Sequence, residues 1–175
     1  MTNKVHSTEH LGERLMPDLG TGSGSVCVDG TIINWVTGVI QSQFAGLVRS
    51  GVRIKVGSRA DLRVRWALAN QRLFVFGQRV VATIPAGAVR LECGIFRRSK
   101  QRWNRWIGRI VLVEQAEAGM VYTIKIHGEE WTIKSYGPVV DERKESKPWD
   151  VVNVVVDPQS IDLSIVAACI VFGNS

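Results

Sequence analysis

Residues that bind metals or form disulfides are scarce in this chain of 175 residues. It has only three cysteines and three histidines, and none of them shows the Cys-x-x-Cys or Cys/His spacing of a zinc site. Cys27, Cys93 and Cys169 are odd in number and far apart, which is typical of small apolar residues in a reducing compartment. We therefore expect no disulfide framework, no metal site and no cofactor.

Signals for secretion and for membrane insertion are also missing from the sequence. No run of about 18 apolar residues occurs, and the N-terminal residues do not pair a charged region with an apolar one. These absences predict a cytoplasmic or nuclear protein that is not secreted and has no transmembrane segment. If the chain is viral, the virion is the expected location.

No group of residues has the spacing of a known catalytic motif. Ser23, within Gly22-Ser23-Gly24, lacks the strand-to-helix turn that surrounds a hydrolase nucleophile. The glycine-rich stretch 20–24 is not followed by the Lys-Ser/Thr pair of a phosphate-binding loop. Glu129 and Glu130 are adjacent, so on a strand they would point to opposite faces. We expect a non-enzymatic protein; the alternative is a small enzyme or host-directed regulator whose site is not visible in the sequence.

Acidic residues are almost absent from residues 49–109. This segment has 15 Lys and Arg, 13 of them Arg, against only Asp61 and Glu92, a net charge of 15 − 2 = +13 in a chain whose total is +6. Such asymmetry costs self-repulsion unless a polyanionic partner or long-range steering makes it useful. Arginine also offers phosphate a planar, bidentate fork. The composition therefore predicts a basic surface that binds a polyanion.

The most basic stretch, residues 97–106, lies between two apolar segments and is predicted to be a loop between strands. Its candidate polyanion-binding residues are Arg97, Arg98, Lys100, Arg102, Trp103 and Arg105. Trp103 is the better candidate for stacking on unpaired bases. Trp106 begins an apolar run, which favours a place in the core.

A second set of basic residues is predicted from alternating strands after Gly51. Apolar residues at every second position in 52–56 and 62–68 alternate with charged ones, the pattern of half-buried strands. Because the pleat sends alternate side chains to opposite faces, the charged residues should share one outer face. The candidate polyanion-binding residues of that face are Arg53, Lys55, Arg63 and Arg65.

The segment Thr31 to Ser50 is predicted to be a helix, with a pair of strands as the competing interpretation. Its apolar residues are spaced by four, and Gly51 follows as a stop signal. The spaced residues are Ile32, Val36, Ile40, Phe44 and Val48. The predicted fold class is therefore α+β: a β-rich, mostly antiparallel sheet or barrel-like body of about ten strands, with one long helix in the N-terminal half.

The domain organisation is predicted to be simple. Residues 1–25 are polar and rich in Gly and Ser, which is typical of a flexible arm, and residues 26–175 should form a single globular domain. No internal repeat of convincing self-similarity is visible. The apolar segment 161–172 is compatible with a strand or a helix, and its β-branched residues favour the strand.

These observations favour a basic structural or assembly protein that binds RNA or a nucleoprotein. An anionic membrane is a further expected partner of the same basic surface. A small viral matrix or coat protein, assembling as a homo-oligomer, is the natural example. The first alternative is a peripheral lipid-binding module that uses the same basic face on anionic headgroups. The second is self-assembly, in which the acidic remainder of one copy binds the basic face of another.

Overall fold

The computed structural model describes residues 22–45, 49–67, 74–92, 104–117, 119–137 and 147–166. Within these ranges the chain forms eleven β-strands and one short 3-10 helix of three residues, Ala86–Ala88. The strands are β1 Ser23–Val28, β2 Thr31–Ala45, β3 Arg49–Val56, β4 Ala60–Ala67, β5 Arg79–Pro85, β6 Val89–Glu92, β7 Asn104–Ala116, β8 Gly119–Ile126, β9 Thr132–Tyr136, β10 Val151–Val156 and β11 Asp162–Ile165.

The predicted helix Thr31 to Ser50 is wrong, and with it the α+β class. The segment forms β2 and the start of β3, an antiparallel pair, which is the competing interpretation. A spacing of four residues returns to the same side of a helix and also of a strand, because four is a multiple of the strand period of two. Val36 and Ile40 are accordingly buried on one face of β2, and Val39 between them is 38% exposed. Apart from the single 3-10 turn, the described residues are all β or irregular.

The strand pattern after Gly51 agrees with the structure. β3 contains the alternating segment 52–56, and β4 contains residues 62–67 of the alternating segment 62–68. All nine pairings among the described strands are antiparallel. Part of the apolar C-terminal segment, residues 162–165, is strand β11, and residues 167–175 lie outside the described residues.

The eleven strands form two sheets that exchange one strand each. The first sheet has the order β11-β5-β2-β3-β4, with β1 also paired to β2, and the second has the order β6-β10-β7-β8-β9. In each sheet a three-stranded meander is extended by the next strand of the chain, β5 or β10. β6 follows β5 but pairs with β10, and β11 follows β10 but pairs with β5. Each half of the chain therefore completes the sheet of the other half.

This topology is an internal duplication, so the expectation of no repeat is wrong. The motif Asn-x-x-x-Gly-x-Ile opens both meanders, at residues 34–40 and again 70 positions later at residues 104–110. A register shift follows each copy, between Ile40 and Ser42 in β2 and between Ile110 and Leu112 in β7. Outside this short motif the two halves share little beyond alternating apolar residues, which is why the sequence pattern conceals the repeat.

One hydrophobic core lies between the apolar faces of the two sheets. It contains fully buried residues of both meanders, such as Ile54 and Ile124. Trp106 is buried there, as predicted, and packs edge-on against Trp131 with 5.2 Å between ring centroids. Because the apolar faces of both meanders contribute to the same core, the two halves are expected to unfold as one cooperative unit.

Two buried asparagines connect the halves. The Asn104 amide accepts a hydrogen bond from the Arg63 N–H at 2.7 Å and donates to the Arg63 carbonyl at 2.8 Å, on edge strand β4. Asn34 makes the same pair of bonds to Lys134 on edge strand β9, at 2.7 Å and 2.9 Å. Each amide thus replaces the backbone of a neighbouring strand, and satisfies polar groups that burial would otherwise leave unpaired.

Removing either asparagine amide should destabilise the fold to a similar extent. We expect Asn34→Ala and Asn104→Ala each to lower the free energy of unfolding by about 2 to 3 kcal/mol, since each leaves a backbone N–H and C=O without partners. Urea denaturation followed by tryptophan fluorescence measures this. Gln43→Ala, at an exposed position of β2, is the control and should change stability by less than about 0.5 kcal/mol. Asparagine variants as stable as this control would contradict the bridging role.

β1 begins at Ser23, inside the stretch 1–25 that is predicted to be an arm, and residues 1–21 lie outside the described residues. The proposed boundary at Ser25 therefore falls within a strand that pairs with β2. Among the described residues, no helix has the length and apolar character that crossing a membrane requires.

Candidate anion-binding face

The basic side chains predicted on β3 and β4 lie on one outer face of the first sheet. Val52, Ile54, Leu62 and Val64 point into the core, and the residues between them point outward. We call the outward set the basic face. It consists of Arg53, Lys55, Arg63 and Arg65.

The register shift in β2 adds an aromatic residue to the basic face. Up to Ile40 the even-numbered residues of β2 face the core, but after the shift Ser42 pairs with Arg53 and Phe44 with Gly51. Phe44 is therefore on the outer side, 36% exposed. The Arg65 guanidinium lies over its ring, 5.8 Å from the centroid, close enough for a cation–π contact.

Only one acidic side chain in the described residues pairs with the basic face. Arg53 Nε donates to Asp61 at 3.0 Å, and none of the described carboxylates forms a salt bridge with Lys55, Arg63 or Arg65. Arg53 and Arg63 are direct cross-strand partners, an arrangement of like charges that destabilises a sheet. The face therefore carries an excess of positive charge at some cost to the fold.

The equivalent face of the second sheet carries a smaller excess of positive charge. Two of its three cations lie beside acidic side chains, and the third, Arg109, is the exposed cross-strand partner of Lys125 and forms no salt bridge within the described residues. Lys125 corresponds to Lys55. Lys134 corresponds to Arg63, because the backbone N–H of Lys134 donates to Asn34 and the backbone N–H of Arg63 donates to Asn104. Lys134 pairs with Glu114 at 3.6 Å, and Lys125 lies 4.0 Å from Glu130. Two copies of one fold in one chain thus differ in charge, so the excess on the first sheet is not a requirement of the fold.

Of the candidate residues in the predicted basic loop, only Arg105 lies within the described residues. Arg97, Arg98, Lys100, Arg102 and Trp103 lie outside the described residues, and their role stays a prediction. Arg105 lies on β7 and donates to Glu92 at 2.8 Å, with its side chain 16% exposed. Its charge is therefore already paired within the protein.

A buried carboxylate that the sequence analysis set aside lies beside the basic face. Glu129, in the turn between β8 and β9, is 5% exposed. Its oxygens accept three backbone hydrogen bonds from the β3–β4 turn, from Ser58 at 2.9 Å, Arg59 at 2.6 Å and Ala60 at 2.7 Å. Successive N–H groups that converge on one point form an anion-binding nest. Glu129 fills that nest from the other half of the chain.

The nest keeps Glu129 ionised. Burial alone raises the pKa of this carboxyl, but the hydrogen bonds from Ser58, Arg59 and Ala60 outweigh it, so its pKa lies below the ordinary value of 4.5. Gly57 has a φ of 67°, and a side chain there would run into the Glu129 carboxylate. A glycine is required at this position for both reasons.

A cavity of about 880 Å³ borders the nest and the basic face. Val39, Lys55 and Arg79 lie along one side, and the turn residues Ser58 and Glu129 along another. In the described residues, no cluster of three or more His, Cys, Asp or Glu is placed to hold a metal ion.

Sequence reasoning missed Glu129, Asn34 and Asn104. The repeated motif Asn-x-x-x-Gly-x-Ile is a signal that identifies the two asparagines as a matched pair. For Glu129 the sequence holds no such signal, because its partners Ser58 to Ala60 lie about 70 residues away.

Comparison with family models and with curated proteins finds no match for this chain. Among solved structures, it is similar to the cytoplasmic molybdate-binding protein ModG in a crystal form with molybdate bound. The two share 23% sequence identity and a TM-score of 0.63, over 75% of this chain and 95% of that chain. ModG is a ligand-binding protein. At this identity the likeness shows that the two chains share a fold, an OB-like β architecture.

Proposed function

We propose that this chain binds single-stranded nucleic acid, RNA in particular, on the outer face of β2, β3 and β4. The observation that carries the proposal is the excess of positive charge on the basic face, which is larger than the excess on the equivalent face of the second sheet. In the second sheet, Glu114 lies beside Lys134 and Glu130 lies beside Lys125. The fold therefore accepts acidic partners on this face, and it does not require Arg63 and Arg65 to lack them.

The topology supports this choice of face. OB-fold proteins bind oligonucleotides on the face of their second and third strands. In the first sheet, β2, β3 and β4 form the meander and β5 returns to β2, so β3 and β4 correspond to those two strands. The basic face lies on them.

The chemistry of the face favours a phosphate backbone with exposed bases over a simple anion. Three of its four cations are arginines, which bind phosphate through a bidentate fork. Successive outward residues on one strand are about 6.6 Å apart, so the four charges form an extended patch and not a single pocket. Phe44, partly exposed beside Arg65, offers an aromatic surface for a base.

The finer assignments are proposals as well. An assembly role with RNA, in a virion as a matrix or coat protein, would use the same face, and so would binding to an anionic membrane. The molybdate that ModG binds is an oxyanion, so a small inorganic anion is a further ligand to test. Homo-oligomerisation stays a prediction.

Removing three arginines should weaken RNA binding and reduce its salt dependence. For the variant Arg53→Gln, Arg63→Gln and Arg65→Gln we expect at least tenfold lower affinity at low salt. The slope of log K against log salt should fall by about 2, since each phosphate contact to a single strand contributes about 0.7. Fluorescence anisotropy with a labelled single-stranded RNA, between about 50 and 200 mM salt, measures both.

The matched control removes three cations from the second sheet, Arg109→Gln, Lys125→Gln and Lys134→Gln. It should keep most of the affinity and most of the salt slope. Equal losses in both variants would mean that only net charge matters, and would overturn the proposed face. If the first variant loses binding to phosphatidylserine vesicles and not to RNA, the lipid-binding alternative is the correct one.

A further inference from the structure

We infer that the cavity beside the basic face is a binding site for one nucleotide, which places its phosphate between Lys55 and Arg79 and its base against the apolar lining. The nucleotide comes either as a free mononucleotide or as one unpaired residue of a bound strand. Only the second source rests on the proposed function.

The two cations are held in register by the sheet. Val39 in β2 pairs with Lys55 of β3 on one side and with Arg79 of β5 on the other. Residues that are direct partners in a sheet point to the same face, and adjacent strands are about 4.8 Å apart. Lys55 and Arg79 are therefore about 10 Å apart at the backbone, with exposed Val39 between them, and their long side chains can converge on one phosphate.

The lining of the cavity fits the rest of a nucleotide. Most of its surface is apolar, with Val39, Phe76 and Trp131 among the contributors. Phe76 is 79% exposed and lies at the rim. A volume of about 880 Å³ is near the upper end of the range for small-molecule sites. The cavity is therefore large enough for an organic ligand and not only for an inorganic anion.

The acidic residues near the cavity do not cancel the two cations. Glu129 directs its carboxylate into the backbone nest of Ser58 to Ala60, so its charge is already compensated by three N–H groups. Glu130 also lines the cavity, but its side chain is fully exposed and lies 4.0 Å from Lys125. Asp61, the cross-strand partner of Lys55, accepts a hydrogen bond from Arg53. Lys55 and Arg79 form no salt bridge with any carboxylate of the described residues, and they are the positive groups left to bind a phosphate.

Isothermal titration of the full chain at low salt tests the site with three probes: adenosine 5′-monophosphate, adenosine and inorganic phosphate. We expect saturable binding of the monophosphate to one site, at least ten times tighter than either of the other two. Arg79→Gln should weaken it by about fivefold to tenfold. Val39→Phe, which fills the cavity from its exposed side, should abolish it. Lys125→Gln, at the matched position of the second sheet, should leave it unchanged.

Competition with a short single-stranded RNA identifies the source of the nucleotide. Displacement of the monophosphate by RNA means that a residue of the strand occupies the cavity, and simultaneous binding means that the site serves free nucleotides; the inferred site stands in both cases. Monophosphate affinity no better than that of phosphate, or insensitive to Arg79→Gln and Val39→Phe, would overturn it. An absence of monophosphate binding would also overturn it.

The two proposals fail separately. RNA binding that depends on Arg53, Arg63 and Arg65, without any monophosphate binding, would leave the proposed function intact and remove only the nucleotide site. Monophosphate binding without RNA binding would leave the nucleotide site intact and remove the proposed RNA-binding function.

Discussion

Glu129→Ala is expected to lower the free energy of unfolding by about 2 to 4 kcal/mol. The substitution removes a charged acceptor from the N–H groups of Ser58, Arg59 and Ala60, and hydrogen bonds to charged groups are worth about 1.5 to 3 kcal/mol each. Ala60 is buried, but water can reach the exposed residues Ser58 and Arg59 in the variant. The variant therefore does not lose the full sum of the three hydrogen-bond contributions. Urea denaturation measures the difference.

Glu130→Ala is the matched control for this substitution. It removes the same charge one position along the turn, from a side chain that is fully exposed. Its effect should be within about 0.5 kcal/mol of zero. If the two variants are equally stable, Glu129 does not hold the two turns together.

The contribution of Glu129 should depend on pH in a defined direction. Because its folded pKa lies below 4.5, the folded state favours the ionised form, and this stabilisation is fully present above about pH 5. It is lost as pH falls from 4.5 through the folded pKa. The difference in stability between the wild type and Glu129→Ala should therefore be constant near neutral pH and shrink below pH 4.5. A difference that grows as pH falls would contradict the assignment.

Gly38→Ala and Gly108→Ala should also be strongly destabilising, by about 2 to 4 kcal/mol each. A Cβ at Gly38 would run into the Ile54 side chain and lie 2.8 Å from the Lys55 carbonyl oxygen. A Cβ at Gly108 would run into Ile124 and lie 3.2 Å from the Val154 side chain. Both sites are tightly packed, and overpacking of this kind costs about 1 to 3 kcal/mol or more. Thermal or urea unfolding of each variant measures the loss.

Gly87→Ala is the control for the two glycines. A Cβ there would meet no atom within 4 Å, so this variant should be neutral or slightly stabilised by the smaller entropy of its unfolded state. The duplication adds a further requirement, that Gly38 and Gly108 respond alike. A large loss at one and none at the other would mean that the two halves are packed differently.

The secondary structure could be predicted from the sequence only where the spacing of apolar residues was unambiguous. In β3 and β4, residues at every second position are buried, and this period does not fit a helix. In β2 the buried residues Val36 and Ile40 are four apart, a spacing that both structures allow. The register shift after Ile40 then turns Phe44 outward, and no local pattern predicts that reversal.

What the sequence determined by itself is the pair of alternating strands β3 and β4, the burial of Trp106, and the common outer face of Arg53, Lys55, Arg63 and Arg65. These are local properties, because the pleat alone decides which side of a strand a residue occupies.

Tertiary structure alone decided which distant segments of the chain contact each other. Which strand completes each sheet, which backbone Asn34 and Asn104 bind, and where the Glu129 carboxylate lies all depend on contacts between residues 41 to 100 positions apart. Alternating apolar residues make every strand of this chain compatible with several neighbours. Only the burial of both apolar faces in one core, with the backbone groups of the edge strands bonded by Asn34 and Asn104, selects one arrangement among them.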